Sequence, residues 1–157
     1  VPSKGPATGP SPVDRGRAGS KHHVLTDATG IPLAVIVTGS HRNDVTQLIP
    51  LLDAVPRIRG RVGRPRRKPR MLVADRGYDH DKYHRLLRAR GIRPAIARRG
   101  IPHGSGLGRW RVERTIAWLH QYRRLRIRWE RRVDIHQAFL KLACCLICWR
   151  CLQRSFS

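Results

Sequence analysis

Met71-Leu72-Val73-Ala74-Asp75-Arg76-Gly77-Tyr78-Asp79 is the stretch on which the fold turns. Four apolar residues end abruptly at an acid and a glycine-containing turn, the pattern of a short buried strand. Asp75 then stands at the C-terminal end of that strand, where open α/β sheets gather their ligand-binding groups. Downstream, Asp81 to Arg90 reads as a helix stopped by Gly91, and Ile92 to Ala97 as another short strand. Arg98 to Gly108 is a basic, Gly-rich loop. Upstream, residues 56–70 hold eight basic side chains and no acid among Gly and Pro. Such a segment is a solvated loop that repels itself until an anion arrives.

Farther upstream, His22 to Thr26 and Ile31 to Thr38 flank the turn Asp27-Ala28-Thr29-Gly30 and read as a hairpin. Val45, Leu48, Ile49, Leu51 and Leu52 then fall at helical spacing behind Asn43-Asp44, which predicts a capped helix over about 44–54. Residues 1–20 are dominated by Gly, Pro and Ser and read as a flexible loop; residues 21–152 form one domain and 153–157 a tail. The last third is helical. Val112, Ile116 and Leu119 share one side with Trp118, Tyr122 and Leu125 beside them. A second helix over about 134–152 carries Ile135, Ala138, Phe139, Leu142, Ala143, Leu146 and Trp149 on its apolar side. Strands interleaved with helices make the class α/β.

The chain has 157 residues, 33 Lys+Arg against 10 Asp+Glu, and a formal net charge of +23. A hydrophobic fraction of 40% supplies a real core and excludes wholesale disorder. Of the basic residues 28 are Arg and 5 are Lys. Arg matches phosphate oxygens bidentately and keeps its charge when partly buried, so a polyanion is the default partner. The uncharged apolar run Leu142 to Trp149 has 8 residues against the roughly 20 that a bilayer requires, so no transmembrane helix is expected. Cys144, Cys145, Cys148 and Cys151 lie on one helix and point in several directions. They cannot close a tetrahedron around zinc, and they read as small buried apolar residues in a reducing compartment. The chain begins at Val1 and its one Met is Met71, which leads to the expectation of a piece cut from a longer chain.

Acids this scarce are informative. The two Glu are Glu113 and Glu130. On a helix advancing about 100° per residue, Glu113, His120 and Arg124 form one polar stripe beside the core face. A carboxylate there looks into a cleft while the helix stays packed. Together with Asp75, it offers two hard oxygen donors of the kind Mg²⁺ takes alongside water and substrate phosphates. A pair of such ions suits an in-line phosphoryl displacement. The plainer alternatives are that Asp75 caps the turn into Gly77, and that Glu113 pairs with Arg109 or complements a helix N-terminus.

The stretch Asp75-Arg76-Gly77-Tyr78-Asp79, together with Arg109-Trp110-Arg111-Val112-Glu113-Arg114-Thr115-Ile116-Ala117-Trp118-Leu119, resembles the DDE-type insertion-sequence transposases, in particular the insertion-sequence-five-like group. Gly19-Ser20-Lys21-His22-His23, Gly30-Ile31-Pro32-Leu33, Asn43-Asp44 and Arg123-Arg124-Leu125-Arg126 extend the likeness from about Gly9 to Leu152. The resemblance implies a ribonuclease-H-like mixed sheet flanked by helices. It implies an Asp-Asp-Glu triad binding two Mg²⁺ (or Mn²⁺) ions, and cleavage and strand transfer of double-stranded DNA at transposon ends. Asp75 matches the second acid and Glu113 the third, 38 positions on. Lys21, Arg76, Tyr78, Arg109, Arg114, His120 and Arg124 would contact DNA. Arg109 matches the Arg of the family's Tyr-Arg-Glu-Lys signature, but Gly106 and His120 stand where its Tyr and Lys belong. The first acid lies upstream of Gly19 in the family. Here the one acid before Gly19 is Asp14, in a segment the family carries after the first acid, so Asp14 is not assigned that role.

These departures lead to the expectation of a partial catalytic domain without its first strand and first acid, inactive alone. The alternative is a catalytically dead remnant that still holds nucleic acid. A basic RNA-binding module of ribosomal type is a third reading, which gives Asp75 and Glu113 no special role. A homodimer in a synaptic complex and a bacterial, nucleoid-associated cytoplasmic location also follow from the resemblance.

Overall fold

The computed structural model of the chain describes residues 5–13, 15–60, 62–100 and 109–156. These hold strands β1 (Gly9–Pro10), β2 (Ala18–Thr26), β3 (Pro32–Gly39), β4 (Met71–Ala74) and β5 (Arg93–Ile96). The helices are α1 (Leu48–Asp53), α2 (Asp81–Ala89), α3 (Arg109–His120), α4 (Arg123–Arg126) and α5 (Val133–Arg154). The class is mixed α/β, in two small sheets. One is antiparallel with order β1-β2-β3, and the other is the parallel pair β4-β5.

The hairpin β2–β3 is in register from Ser20 opposite Gly39 to Thr26 opposite Pro32, with an irregularity at Leu25/Thr26. Its turn is built by Asp27, whose Oδ1 accepts from the backbone N–H of Thr29 (2.8 Å) and Ile31 (2.9 Å). Gly30 takes φ +90°, which side chains with a Cβ avoid. A Cβ there would also lie 2.8 Å from Nη2 of Arg114. This turn is where α3 docks: the fully buried Thr115 hydroxyl shares its proton between the carbonyls of Gly30 (2.5 Å) and Arg111 (3.0 Å).

Alternate residues of β2 face opposite ways. Val24 joins the core made by Val35, Val37, Leu119, Leu125, Leu140, Ala143 and Ile147 beneath α3, α4 and α5. Leu25 joins a second core of Leu48, Leu52, Leu72, Leu87, Ile92 and Ile96, where α1 and α2 cover β4–β5. The long helix α5 lies on β3. The amide of Gln137 donates to Val35 O (2.8 Å) and accepts from Val37 N (3.0 Å), which satisfies backbone groups along that strand.

Several expectations are corrected. Gly9 and Pro10, inside the stretch read as loop, pair with Gly19 and Ala18. The helix expected over 44–54 is a 3₁₀ turn, Asp44–Gln47, capped by Asn43 and continued by α1. The strand 71–74 is buried on one side only: Leu72 is 4% exposed, but Met71 and Val73 are 43% and 49% exposed. The polar stripe is divided, because the chain leaves the helix at Tyr122 (ψ 113°) and Arg124 belongs to the separate α4. That break lets Leu125 drop into the core. Of the four cysteines only Cys144 is buried, and burial pushes its thiol up to about 12.

Helix α5 departs furthest. His136, Leu140, Ala143, Cys144 and Ile147 form its buried side, while Ile135, Ala138, Leu142, Leu146 and Trp149 face outward. It is also long and apolar enough to cross a membrane by length and composition, which the 8-residue uncharged run did not reveal. One side of it is committed to β3 and the core.

Candidate active site and nucleic-acid interface

Asp75 ends β4 and caps the 3₁₀ turn Arg76–Tyr78, its Oδ1 accepting from the Gly77 N–H at 2.9 Å. Its carboxylate is exposed. What fixes this turn is a hub that sequence reading missed. The Asp79 side chain, 8% exposed, accepts from His84 Nε2 (2.9 Å) and from the Arg99 N–H (2.8 Å), and it lies 3.4 Å from Arg98 Nη1. The Arg99 N–H, aided by His84 and Arg98, holds the Asp79 carboxyl below its usual range. Arg99 in turn donates from Nε to the Arg76 carbonyl (3.3 Å). The chain after β5 is thereby clamped to the turn that carries Asp75. The signal was present in Asp79 and His84, five apart across the start of α2, but spacing alone does not reveal an acid turned inward.

On the other side of this turn sits Tyr78. Burial, with the carboxylates of Asp44 and Asp75 adding to it, pushes its phenol up to about 12, so it is a donor at any ordinary pH. Asp44 accepts from Lys21 Nζ (3.0 Å), and Lys21 also donates to the Arg42 carbonyl (3.1 Å). Lys21, Asp44, Tyr78 and Asp75 thus form one neighbourhood at the end of β4. Arg76 is exposed beside it.

Glu113 and His120 are exposed on α3, as the helical spacing predicted, with Ala117 exposed between them. Arg114 is used inside the protein. Its guanidinium lies 4.7 Å from the Trp110 ring and 4.8 Å from the Trp118 ring, and it donates to the Thr29 carbonyl in the hairpin turn. Arg109 opens α3; its side chain lies outside the described residues, as do Asp14 and residues 101–108 of the Gly-rich loop. Arg124 donates to Glu130 (2.7 Å) and lies 5.0 Å from the Phe139 ring. Glu130 is the inward acid of the pair of Glu, bonded also to the buried His136 (3.3 Å).

The structure therefore groups the sequence-selected residues in two places. Lys21, Asp75, Arg76 and Tyr78 cluster at β4 and the hairpin, while Glu113, Arg114 and His120 lie on α3, which packs on β2, α4 and α5. Among the described residues no trio of His, Cys, Asp or Glu is gathered so as to hold a metal ion. Two clefts are lined with basic side chains, and of the sequence-selected residues only His120 lines either of them. One of about 760 Å³ is lined by Arg66, Arg67, Lys68 and Arg90 together with Leu52 and Asp53, and the Asp53–Arg90 pair (2.5 Å) closes one wall. The other, about 520 Å³, is lined by His120, Arg123 and Arg126. Cationic walls of this kind suit phosphate oxygens.

Behind His120 lies a histidine pair, the fully buried His136 and the half-buried His22. His22 Nε2 and His136 Nε2 are 2.9 Å apart, so one ring donates and the other accepts. Burial, followed by His136 and His120, lowers His22 from its ordinary 6.5 to about 4. Burial lowers His23 and His136 as well. A histidine whose folded pKa lies below its unfolded one stabilises the fold above the unfolded value, and that stability is lost as pH falls toward the folded value. Between pH 6.5 and 4 the chain is expected to lose on the order of 3 kcal/mol through His22. Urea midpoints across that range measure the loss, and His22→Gln should flatten the curve.

The described architecture is a mixed α/β domain with an exposed acid closing a parallel strand and a second on a helix. Residues 2–104 and 108–148 match the family described as "Transposase DDE domain". The chain is 64% identical over 152 residues to a Burkholderia cepacia protein named "Putative transposase for insertion sequence element IS402", covering 96% of this chain and 72% of that one. No solved structure matches significantly. The chain belongs to the transposase DDE domain family.

Proposed function

We propose that this chain is a partial transposase catalytic domain, descended from enzymes that cleave and rejoin DNA at transposon ends, with Asp75 and Glu113 as its metal-binding acids. The observation that carries the reading is the family match spanning both acids, each of which is exposed at the surface. Lys21, Arg76, Tyr78, Arg109, His120 and Arg124 would contact the phosphodiester backbone, with Arg114 acting from beneath through its Trp stack. We extend the proposal to the sheet: β2–β3 and β4–β5 are the two halves of one ribonuclease-H-like sheet. Their antiparallel and parallel pairings, and the position of Leu25 in the core of β4, support this.

The donor chemistry fits Mg²⁺ or Mn²⁺, since Asp75 and Glu113 supply hard carboxylate oxygens. Such an ion, when bound, neutralises charge on a reacting phosphoryl group. The donor number is short: among the described residues no three such side chains are gathered, and Asp75 and Glu113 lie in the two separate groups described above. That shortage specifically favours the second reading, a DNA-binding remnant that does no chemistry. Double-stranded DNA binding is expected in both readings, weakening steeply with salt. Between about 50 and 200 mM the loss should be 10³-fold or more if six or more phosphates are engaged. Nicking of plasmid DNA in Mg²⁺ or Mn²⁺, abolished by Asp75→Ala, would support the enzyme; binding without nicking would support the remnant. No DNA binding at low salt would defeat both.

A further inference from the structure

The basic segment between α1 and β4 is held in place. The Ile58 N–H donates to the Arg66 carbonyl (2.8 Å) and the Arg66 N–H to the Ile58 carbonyl (2.9 Å), which closes the chain between them into an arm. The outgoing side of the arm is pinned to the body. Lys68 Nζ donates to the Arg90 carbonyl (2.6 Å), and the Arg93 N–H donates to the Arg70 carbonyl (2.9 Å). The charge is therefore presented on a fixed frame. On that arm Arg64 stands between two compact neighbours. Gly63, at φ +100°, has open space where a Cβ would lie. Pro65 is a closed ring with a fixed φ. Val62 beside them is 94% exposed, so the arm reaches away from the body. Arg64, Arg66 and Arg67 are exposed, and among the described residues no acid pairs with them. Arg66, Arg67 and Lys68 line the cleft of about 760 Å³, whereas Arg64 does not.

We propose that this arm enters the minor groove of A·T-rich duplex DNA, with the Arg64 guanidinium on the groove floor and Arg66 and Arg67 on the phosphates at its edge. The inference rests on the DNA-binding reading above and deepens it, since that reading assigns no residue to the recognition of sequence. The major groove, about 12 Å wide, takes a helix or a two-stranded ribbon, and the minor groove, about 6 Å wide, is too narrow for either. What Gly63-Arg64-Pro65 presents is one chain thick, and its compact neighbours let one long side chain reach the floor while the groove walls close on both sides. At A·T pairs that floor offers acceptors alone, A N3 and T O2, which match the N–H donors of a guanidinium. A G·C pair adds the G N2 amino group, a donor facing donors. Tracts of A·T pairs also narrow the groove and strengthen its negative potential, which draws Arg in.

Fluorescence anisotropy of the full chain on duplexes of equal length tests it, with a central tract of A·T, of G·C or of inosine·C pairs. Inosine lacks the N2 amino group, so an inosine·C pair shows an A·T-like minor groove and a G·C-like major groove. The expected result is that the A·T and inosine·C duplexes bind alike, each at least about fivefold tighter than G·C, the low end of the discrimination a good base contact supplies. Arg64→Ala should bring the three duplexes level. Arg67→Ala should weaken all three alike and lower the salt slope by about one, as loss of a phosphate contact does. Both positions are exposed, and an unchanged circular dichroism spectrum checks that the fold is kept. Equal binding of the three duplexes by the parent chain would overturn the proposal and leave DNA binding standing. Inosine·C bound like G·C, the mark of major-groove reading, or a preference that survives Arg64→Ala would overturn it too. No binding to any duplex would defeat this proposal together with the DNA reading.

Discussion

Leu140→Ala is expected to lower the unfolding free energy by about 3 kcal/mol, within the range for emptying a sealed leucine site. Leu140 is fully buried and is the point where α5 meets β3, α3 and α4, in one cluster with Val35, Val37, Leu119 and Leu125. These neighbours come from three elements, so none can shift inward to fill the gap without breaking contacts of its own. The comparison that isolates burial is Leu142→Ala on the same helix. Leu142 is 57% exposed, and its truncation should change the stability of the isolated chain by less than about 1 kcal/mol. Urea unfolding of both variants measures the difference. Equal losses would mean that α5 is rotated from the orientation described.

The second large effect concerns the acids. Asp75→Ala and Glu113→Gln are each expected to weaken Mn²⁺ binding by roughly tenfold or more, at least the penalty seen when a ligand's supporting shell is lost. Neither change should unfold the chain. Asp75 gives up one turn-capping hydrogen bond, worth about 1 kcal/mol, and Glu113 is an exposed helix residue. Calorimetric titration with Mn²⁺ separates the cases. Loss in both variants ties the two residues to one ion, and loss in Asp75→Ala alone would leave Glu113 as a surface residue of α3.

Much of this architecture is legible in the sequence where local chemistry is decisive. The turn Asp27 to Gly30 needs an Asx-type acid and a residue tolerant of positive φ, and it has both. Gly91, at φ +71°, ends α2 where expected. Asp75 marks a strand end because an acid after four apolar residues has few other places to go. Legibility fails where the sequence is apolar all round. Around α5, Ile135, Leu140, Leu142, Leu146, Ile147 and Trp149 leave no polar face to orient the helix, and periodicity chose the outward side. What decides the inward side is His136, with partners on β2 and before α5, and Gln137, with partners on β3. The contacts to β2 and β3 span about a hundred positions, and no local rule reaches them. The Asp79 hub was hidden for the same reason: its partner Arg99 lies 20 positions on. A chain with 28 Arg offers too many candidate partners for spacing to select one.

The central claim is that the carboxylates at 75 and 113 serve one divalent ion. The most direct measurement is hydroxyl-radical cleavage of the polypeptide by Fe²⁺ bound in place of Mg²⁺, with the cut sites read by mass spectrometry. Cuts near both Asp75 and Glu113, suppressed together by excess Mg²⁺, are the expected result. Cuts confined to one of the two segments, or scattered without regard to Mg²⁺, would contradict it.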